Sequence, residues 1–379
     1  MKIIDKKMLQ GNIDKIVKYD FENQKVFGSA YGVIQNGELI YKKCFGYTNP
    51  DAKDNVTSDT LFRLASMTKP ITAFATLILV DRGLISLSDK VSKYLPEFEN
   101  IHIIQVDNED NSVDLGDVVN QPTIRDLLTH TSGIGSNGFK TQKMTSEDKS
   151  TVDNTIRFLV NVGLDFEPST KQEYSGFGAF DVLVKIIEII TNTDYEGFLK
   201  KEVFEPCGMT NTLFVPNQKQ WNNLIAMHNK IEDKCVVAEM SENCIFSDFP
   251  CTHFLGGAGL ASTLDDYLKF AKMLLNNGAI PEKRFISEET FKLLSTPFVS
   301  SDIMPGWERW GLGVRVITDD SYPNLPVGAF GWSGAYGSHF WIDPINNIAA
   351  VFMKNSLFDG GAANESARSF EKAVKESLI

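Results

Sequence analysis

Ser66 and Lys69 stand three residues apart in the segment FRLASMTKPIT, where an apolar helical run begins. Residues three apart on a helix share a face, so the Ser66 hydroxyl and the Lys69 amine can meet across one turn. A serine hydroxyl is a weak nucleophile until a neighbour takes its proton, and backbone N–H groups at a helix start can stabilise an anion. The pair therefore indicates nucleophilic chemistry. Pro70 fits a first helical turn, where a missing N–H costs little.

The composition argues against several other kinds of site and partner. The 379 residues carry a formal net charge of −12 and are 42% hydrophobic, which is typical of a globular protein that binds neither nucleic acid nor an anionic membrane. No cysteine pair has the spacing of a zinc site, and no phosphate-binding glycine loop is present, so we expect no metal and no cofactor. We expect reduced thiols at all five cysteines: Cys44, Cys207, Cys235, Cys244 and Cys251.

The first twenty residues place apolar side chains at helical spacing among lysines and aspartates. This pattern predicts an amphipathic helix and not a signal peptide. The longest apolar run, ITAFATLILV, is too short to span a bilayer. We therefore expect a cytoplasmic protein.

Strand-like runs occur near both ends of the chain, with helical periodicity between them. The first pair of runs surrounds QNGE, a strong hairpin signal, and the last runs are WGLGVRVI, GAFGWSG, SHFWIDP and NIAAVFMKN. The order predicts an α/β (α+β) fold with an antiparallel sheet from residues 1–84 and 254–379 and a mainly helical lobe at 85–253. A cleft between two such lobes is a usual place for a small-molecule site. The acidic segment 105–117 lacks the residues of a calcium loop, so we expect a solvated surface loop there.

Five segments, in the same order, resemble the serine β-lactamase and penicillin-binding-protein superfamily. The similarity is greatest to its class C β-lactamase-like branch, which includes serine esterases. Beyond FRLASMTKPIT, the matching segments are TIRDLLTHTSG, FLKKEVFEPCGMTNTLF, GGAGLASTLDDYLKF and FGWSGAYGSHFWIDP. The resemblance implies a β-lactamase/transpeptidase-like fold and covers nearly the whole chain.

The resemblance also implies roles for individual residues. Ser66 would be the acylated nucleophile and Lys69 its partner, and Tyr174 in YSG would be the general base and later the acid. Because free tyrosine and lysine both titrate near ~10, the letters leave open whether Lys69 or Tyr174 takes the proton. The backbone N–H groups of Ser66 and Ala335 would form the oxyanion hole, which stabilises the developing negative charge.

Two positions depart from the family pattern. Trp332 stands in WSG where the family has a lysine or histidine, and Gly176 replaces the asparagine of Tyr-x-Asn. An indole cannot hold a carboxylate as an ammonium does, so the departures favour neutral esters over carboxylate-bearing lactams. By the same resemblance, the substrate-binding positions are Gly176, Trp332, Ser333 and Gly334.

We therefore expect a serine hydrolase, a carboxylesterase acting on small neutral esters. The alternatives are a class C-like β-lactamase or D-amino-acid peptidase, an acyltransferase, and a non-catalytic penicillin-binding or sensing module. The expected partner is a small-molecule ester or lactam, and the oligomeric state stays open.

The histidines are expected to have structural roles. His130 in LLTHTSG reads as a structural histidine of the helical lobe rather than a triad member. For His253 and His339 a packing role is favoured over a place in the cleft. The segment GWSGA around Ser333 resembles a nucleophile elbow, but its second glycine is misplaced.

Overall fold

The computed structural model describes residues 1–51, 53–107, 111–176, 178–238, 253–362 and 364–379. Cys244, Cys251 and Phe177 lie outside the described residues. The strands in the described ranges are β1 (Gly28–Gln35), β2 (Glu38–Asn49), β3 (Asp54–Asn55), β4 (Phe62–Arg63), β5 (His102–Val106), β6 (Ser112–Asp117), β7 (His228–Ile231), β8 (Lys234–Val237), β9 (Ala261–Ser262), β10 (Ala279–Ile280), β11 (Lys283–Arg284), β12 (Glu308–Trp310), β13 (Arg315–Ile317), β14 (Phe330–Ser333), β15 (His339–Asp343) and β16 (Ile348–Met353).

The α-helices in the same ranges occur near both ends of the chain and throughout its central part. They are α1 (Lys6–Glu22), α2 (Thr68–Asp81), α3 (Ile124–Leu128), α4 (Gly138–Thr141), α5 (Val152–Val162), α6 (Gly178–Thr191), α7 (Tyr195–Leu199), α8 (Glu205–Cys207), α9 (Gln218–Asn222), α10 (Leu264–Leu275), α11 (Glu288–Leu294) and α12 (Glu365–Glu376). A short 3₁₀ turn, Ala65–Met67, runs directly into α2.

One eight-stranded antiparallel sheet is built from both ends of the chain, which confirms the predicted fold class. Its strand order is β12-β13-β14-β15-β16-β1-β2-β3, so β1 pairs with β16 across almost the full length of the sequence. The first hairpin turns at Asn36 and Gly37, whose φ angles of 52° and 78° are those of the two-residue turn that Asn-Gly favours. The chain ends therefore close on each other, and the remaining residues form the segment between them.

The two faces of this sheet pack against different helices. Alternate residues of β1 divide between two hydrophobic clusters, with Ala30 and Ile34 in one and Tyr31 and Val33 in the other, as strand geometry requires. Helix α10 covers the first face, and α1 and α12 cover the second. A side chain on β14 or β15 therefore points either towards the large core or towards α12.

The segment from 85 to 253 contains helices α3 to α9 and also two hairpins, β5–β6 and β7–β8. The prediction of a loop at 105–117 was wrong, because most of the described residues there belong to the β5–β6 hairpin. The predicted exposure agrees with the structure at Val113 and Leu115, which are more than half exposed. The lobe boundaries at 84/85 and 253/254 stay a prediction.

Helix α2 lies in the interior and contains the apolar run noted in the sequence. Its residues from Thr68 to Leu79 are buried, and it packs against α6 and α11. None of the helices in the described part of the chain combines the length and the apolar character needed to cross a bilayer. Gly83, with a φ of 67°, follows the C-terminal end of α2, where glycine is favoured.

Candidate active site

Ser66 lies in the tight turn that opens α2. The preceding residue, Ala65, has a φ of 45°, a left-handed conformation that is unfavourable for a residue with a Cβ and that clusters at functional sites. The Leu64 N–H is held by the carbonyl of Leu260, and the Tyr267 hydroxyl donates to the carbonyl of Met67. The surrounding chain thus holds a strained turn, and Ser66 remains half-exposed at its tip.

Lys69 lies one turn further along the helix and has no exposed surface. Its Nζ is 3.4 Å from the Ser66 Oγ and 2.9 Å from the carbonyl oxygen of Gly257, and it also donates to the carbonyl of Gly176. Burial lowers the pKa of Lys69 to about 7, against the opposing charge of Asp181, because a buried ammonium loses its hydration.

Tyr174 completes a hydrogen-bonded group with Ser66. Its hydroxyl bonds to the Ser66 hydroxyl and accepts the indole N–H of Trp332 at 3.2 Å. Burial raises the pKa of Tyr174 to about 12, and these two hydrogen bonds reduce that rise. Tyrosine is therefore protonated at neutral pH, whereas Lys69 is close to half protonated.

An aromatic wall, defined as His130, Tyr174, Trp310 and Trp332, borders this group. The ring centroids of Trp310 and Trp332 are 4.5 Å apart, and Tyr174 is stacked on Trp310 at 5.9 Å. Trp310 comes from β12 and belongs to no recognised motif, so its place in the site was not predictable from sequence. The wall makes one side of the site apolar.

His130 is buried behind Tyr174, as expected for a structural histidine. Its Nδ1 accepts the backbone N–H of Ser175 at 3.1 Å, and its ring lies 4.6 Å from that of Tyr174. Burial and the charge of Lys69 hold the pKa of His130 well below its ordinary value. A neutral His130 therefore supports the loop that carries Tyr174.

The end of β14 approaches the Ser66 turn from the other side. A Cβ added to Gly334 would lie 2.3 Å from the carbonyl oxygen of Leu64, so this close approach requires glycine. Ala335 is exposed, and its backbone N–H donates to no acceptor among the described residues. The end of β14 therefore lies against the turn that carries Ser66, and the role of the Ser66 and Ala335 N–H groups as an oxyanion hole stays a prediction.

The predicted substrate-binding residues differ in which of their atoms lie next to Lys69 and Tyr174. Trp332 contributes its indole, whereas Gly176 contributes its carbonyl to Lys69 and has no atom within 4 Å of an added Cβ. Ser333 is different, because its hydroxyl bonds to His339, on the face of β14 opposite Trp332. Any contact of Ser333 with substrate would therefore be made by its backbone.

The side chains of His253 and His339 bond to partners outside the group formed by Ser66, Lys69 and Tyr174. His253 Nδ1 bonds to the carbonyl of Lys149 at 2.8 Å, and His339 is buried between Ser333 and Glu371. The described cysteines, Cys44, Cys207 and Cys235, are free thiols. The hydrogen bond from Lys69 to the Gly257 carbonyl was not predictable from the sequence, because a motif does not specify backbone contacts.

Comparison with known proteins identifies the family. The model of the Beta-lactamase family matches residues 12–373, and the chain therefore belongs to that family. This confirms the resemblance noted in the sequence.

Several relatives match nearly the full length of the chain. Esterase EstB of Burkholderia gladioli is 27% identical over 384 residues, covering 94% of this chain and 93% of its own. Protein Rv1367c of Mycobacterium tuberculosis is 29% identical over 348 residues, covering 86% and 85%. Among solved structures, EstCE1, described as a hydrolase with promiscuous acyltransferase activity, superposes with a TM-score of 0.83 at 22% identity over 98% of this chain and 99% of that one. The last similarity shows the fold.

The contact between Gly334 and Leu64 generates a prediction about the site. Gly334→Ala should force the end of β14 away from the Ser66 turn, because a Cβ cannot lie 2.3 Å from a carbonyl oxygen. We expect ester turnover to fall by about 100-fold, as for a reacting group displaced by roughly 1 Å. Steady-state kinetics measure the loss. The control is Gly11→Ala in α1, where an added Cβ meets nothing within 4 Å; an equal loss in that variant would contradict the prediction.

Proposed function

We propose that this member of the Beta-lactamase family is a serine hydrolase that forms an acyl-enzyme on Ser66, and that it acts on small neutral esters as a carboxylesterase. The observation that carries the proposal is the arrangement around Lys69. A neutral amine has two N–H bonds and one lone pair. With the carbonyls of Gly176 and Gly257 accepting the two N–H bonds, the lone pair is directed to the Ser66 hydroxyl.

This arrangement makes Lys69 the base in the first step. The pKa of Lys69 is about 7 and that of Tyr174 is about 12, so at neutral pH only lysine supplies a substantial unprotonated fraction. The Ser66 proton passes to Lys69 Nζ while Oγ bonds to the ester carbonyl carbon. The carbonyl oxygen becomes an oxyanion that the N–H groups of Ser66 and Ala335 can stabilise.

The tetrahedral intermediate then expels the alcohol. The bond between the carbonyl carbon and the alcohol oxygen breaks, and Tyr174 donates its proton to the departing oxygen. Tyr174 recovers a proton from the Lys69 ammonium, which leaves lysine neutral again. Water repeats the sequence on the acyl-enzyme, giving up its proton to the same base and releasing the carboxylic acid. The protons gained and lost balance over the cycle, and the Lys69 Nζ lies 4.9 Å from the centre of the Tyr174 ring.

The preference for neutral esters is supported by the aromatic wall. Trp332 occupies the position where the family has a cation, and its N–H is already bonded to Tyr174 at 3.2 Å. A substrate carboxylate against these rings would lose its water without gaining a charged partner, which is costly. EstB, an esterase by name and a full-length relative, is consistent with this choice.

The direct test combines active-site labelling with a comparison of substrates. A fluorophosphonate probe should modify Ser66, as located by peptide mass, and Ser66→Ala should lose both labelling and turnover of a p-nitrophenyl ester by on the order of 10³-fold or more. Circular dichroism checks that this variant is folded. Labelling at another residue with activity retained would overturn the assignment, and a wild type that prefers a chromogenic cephalosporin would favour the β-lactamase alternative.

The lysine base generates a pH prediction. Because Lys69 acts only when it is neutral, kcat/KM should rise as the pH passes through about 7. The charge of Asp181 stabilises the ammonium and raises the pKa of Lys69, so Asp181→Asn should move this limb to lower pH. The pH profile of ester hydrolysis measures the shift. Glu188→Gln, on the same helix, should leave the limb in place; a limb unchanged by Asp181→Asn would argue against Lys69 as the base.

The position of Trp332 generates a prediction about specificity. Trp332→Lys combined with Gly176→Asn should raise kcat/KM for a cephalosporin relative to a neutral ester about tenfold, since a charged hydrogen bond contributes roughly 1.5–3 kcal/mol. A Cβ added at 176 meets no atom within 4 Å other than those of its chain neighbours. Parallel assays with both substrates measure the ratio. Trp332→Phe, which removes the indole N–H without adding a cation, should not raise it, and a rise in that control would exclude the missing cation as the cause.

A further inference from the structure

Behind the aromatic wall, a buried line of hydrogen bonds runs from β14 to the C-terminal helix. Ser333 and His339 are directly opposite each other on β14 and β15, and the Ser333 Oγ lies 2.7 Å from His339 Nδ1. His339 Nε2 lies 3.0 Å from a carboxylate oxygen of Glu371 in α12. All three side chains are at most 4% exposed. We call these three residues the rear relay.

Glu371 anchors the relay with a fixed negative charge. Its carboxylate accepts from Arg315 at 2.9 Å, from Arg368 at 3.0 Å and from the Tyr322 hydroxyl. Burial alone would raise the pKa of Glu371, but His339 and the two arginines outweigh it and hold the pKa well below its usual range. Glu371 therefore acts as an acceptor towards every partner.

The anchor determines the protonation of the other two residues. His339 Nε2 must carry a proton, because it faces a carboxylate. Burial lowers the pKa of His339 and the charges of Arg315 and Arg368 act in the same direction, whereas Glu371 favours the protonated ring. In the neutral ring with its proton on Nε2, Nδ1 has a lone pair. That lone pair must accept the Ser333 hydroxyl proton. The direction of every hydrogen bond in the relay is thus set from α12 towards β14.

The relay reaches β14 where that strand is held on one side. Its pairing with β13 ends at Gly331, whereas its pairing with β15 continues to Ser333. The two residues that follow are Gly334, in contact with Leu64, and Ala335, whose N–H has no acceptor among the described residues. Beyond the end of the β13 ladder, the backbone bonds of this pair include those from the Gly334 N–H to the Ser338 carbonyl and from the Gly361 N–H to the carbonyls of Gly334 and Ala335. A displacement of roughly 1 Å here is enough to lower a rate about 100-fold.

We propose that His339 and Ser333 are positioning residues, which hold the end of β14 so that the Ala335 N–H meets the developing oxyanion. This inference rests on the proposed serine hydrolase function. The relay does not touch the substrate and transfers no net proton. It fixes the strand from the face opposite Trp332, beyond the point where the pairing with β13 has ended.

The test is the rate of acylation in variants of the relay. Ser333→Ala should lower the rate constant of the p-nitrophenolate burst at saturating ester about tenfold, a part of the loss seen when an oxyanion donor is removed. The ester concentration at half-saturation should stay within twofold, because ground-state binding is untouched. Ser333→Thr returns the hydroxyl and should restore the rate to within about threefold of the wild type.

A matched control separates positioning from loss of stability. Asn324 also donates to Glu371, at 3.3 Å, but lies outside the line to β14. Asn324→Ala should keep the wild-type burst rate. The double variant Ser333→Ala/His339→Phe should be no slower than the slower single variant, since residues acting as a unit are non-additive.

Several results would overturn the inference. They are a Ser333→Ala rate within twofold of the wild type, an equal loss in Asn324→Ala, or effects that multiply in the double variant. The two proposals fail in different ways. Ester turnover by Ser66→Ala overturns the serine mechanism, whereas labelling at Ser66 with an unchanged Ser333→Ala rate overturns the positioning role alone.

Discussion

The burial of one amine governs the arrangement of this site. Lys69 has no contact with solvent, and a buried ammonium costs several kcal/mol unless its donors are satisfied. Two carbonyls and a hydroxyl meet that requirement, and they come from three distant parts of the chain: Gly176, Gly257 and Ser66. The loop before α6, the segment before β9 and the turn before α2 must therefore converge. The same burial lowers the pKa of Lys69 to about 7, so packing and reactivity have one cause.

Strand β14 connects this group to the rest of the fold through its alternation. Trp332 points to Tyr174 on one face, and Ser333 points to His339 on the other. The first contact belongs to the site and the second to the packing against α12. Consecutive residues of an extended strand necessarily serve opposite faces. The rear relay therefore begins at Ser333, one residue after Trp332, which belongs to the site. At this point the pairing of β14 with β13 has already ended.

Local features of the fold were predictable from the sequence, and contacts between distant backbone groups were not. The Asn36–Gly37 turn, the helix after Ser66 and the strands of the closing sheet follow from turn chemistry and periodicity, which act over a few residues. The β5–β6 hairpin was missed because β6, Ser112–Asp117, is largely exposed and contains two aspartates, and such a strand has little intrinsic preference and depends on its context. The link from His339 to Glu371 spans 32 residues and involves no motif. It depends on the packing of α12 against the sheet, which sequence patterns do not specify.

The aromatic wall and the buried lysine together define which substrates suit the site. Among the described residues, Lys69 and the Trp332 indole are already bonded to protein atoms, whereas the Ala335 backbone N–H has no acceptor. Backbone donors stabilise an oxyanion that forms during the reaction, whereas a carboxylate present from the start needs a partner before it can leave water. The negative faces of the rings make such an anion still less favourable. A neutral ester carries no charge until Ser66 attacks its carbonyl carbon. The negative charge then develops on the carbonyl oxygen, next to the proposed donors, the N–H groups of Ser66 and Ala335.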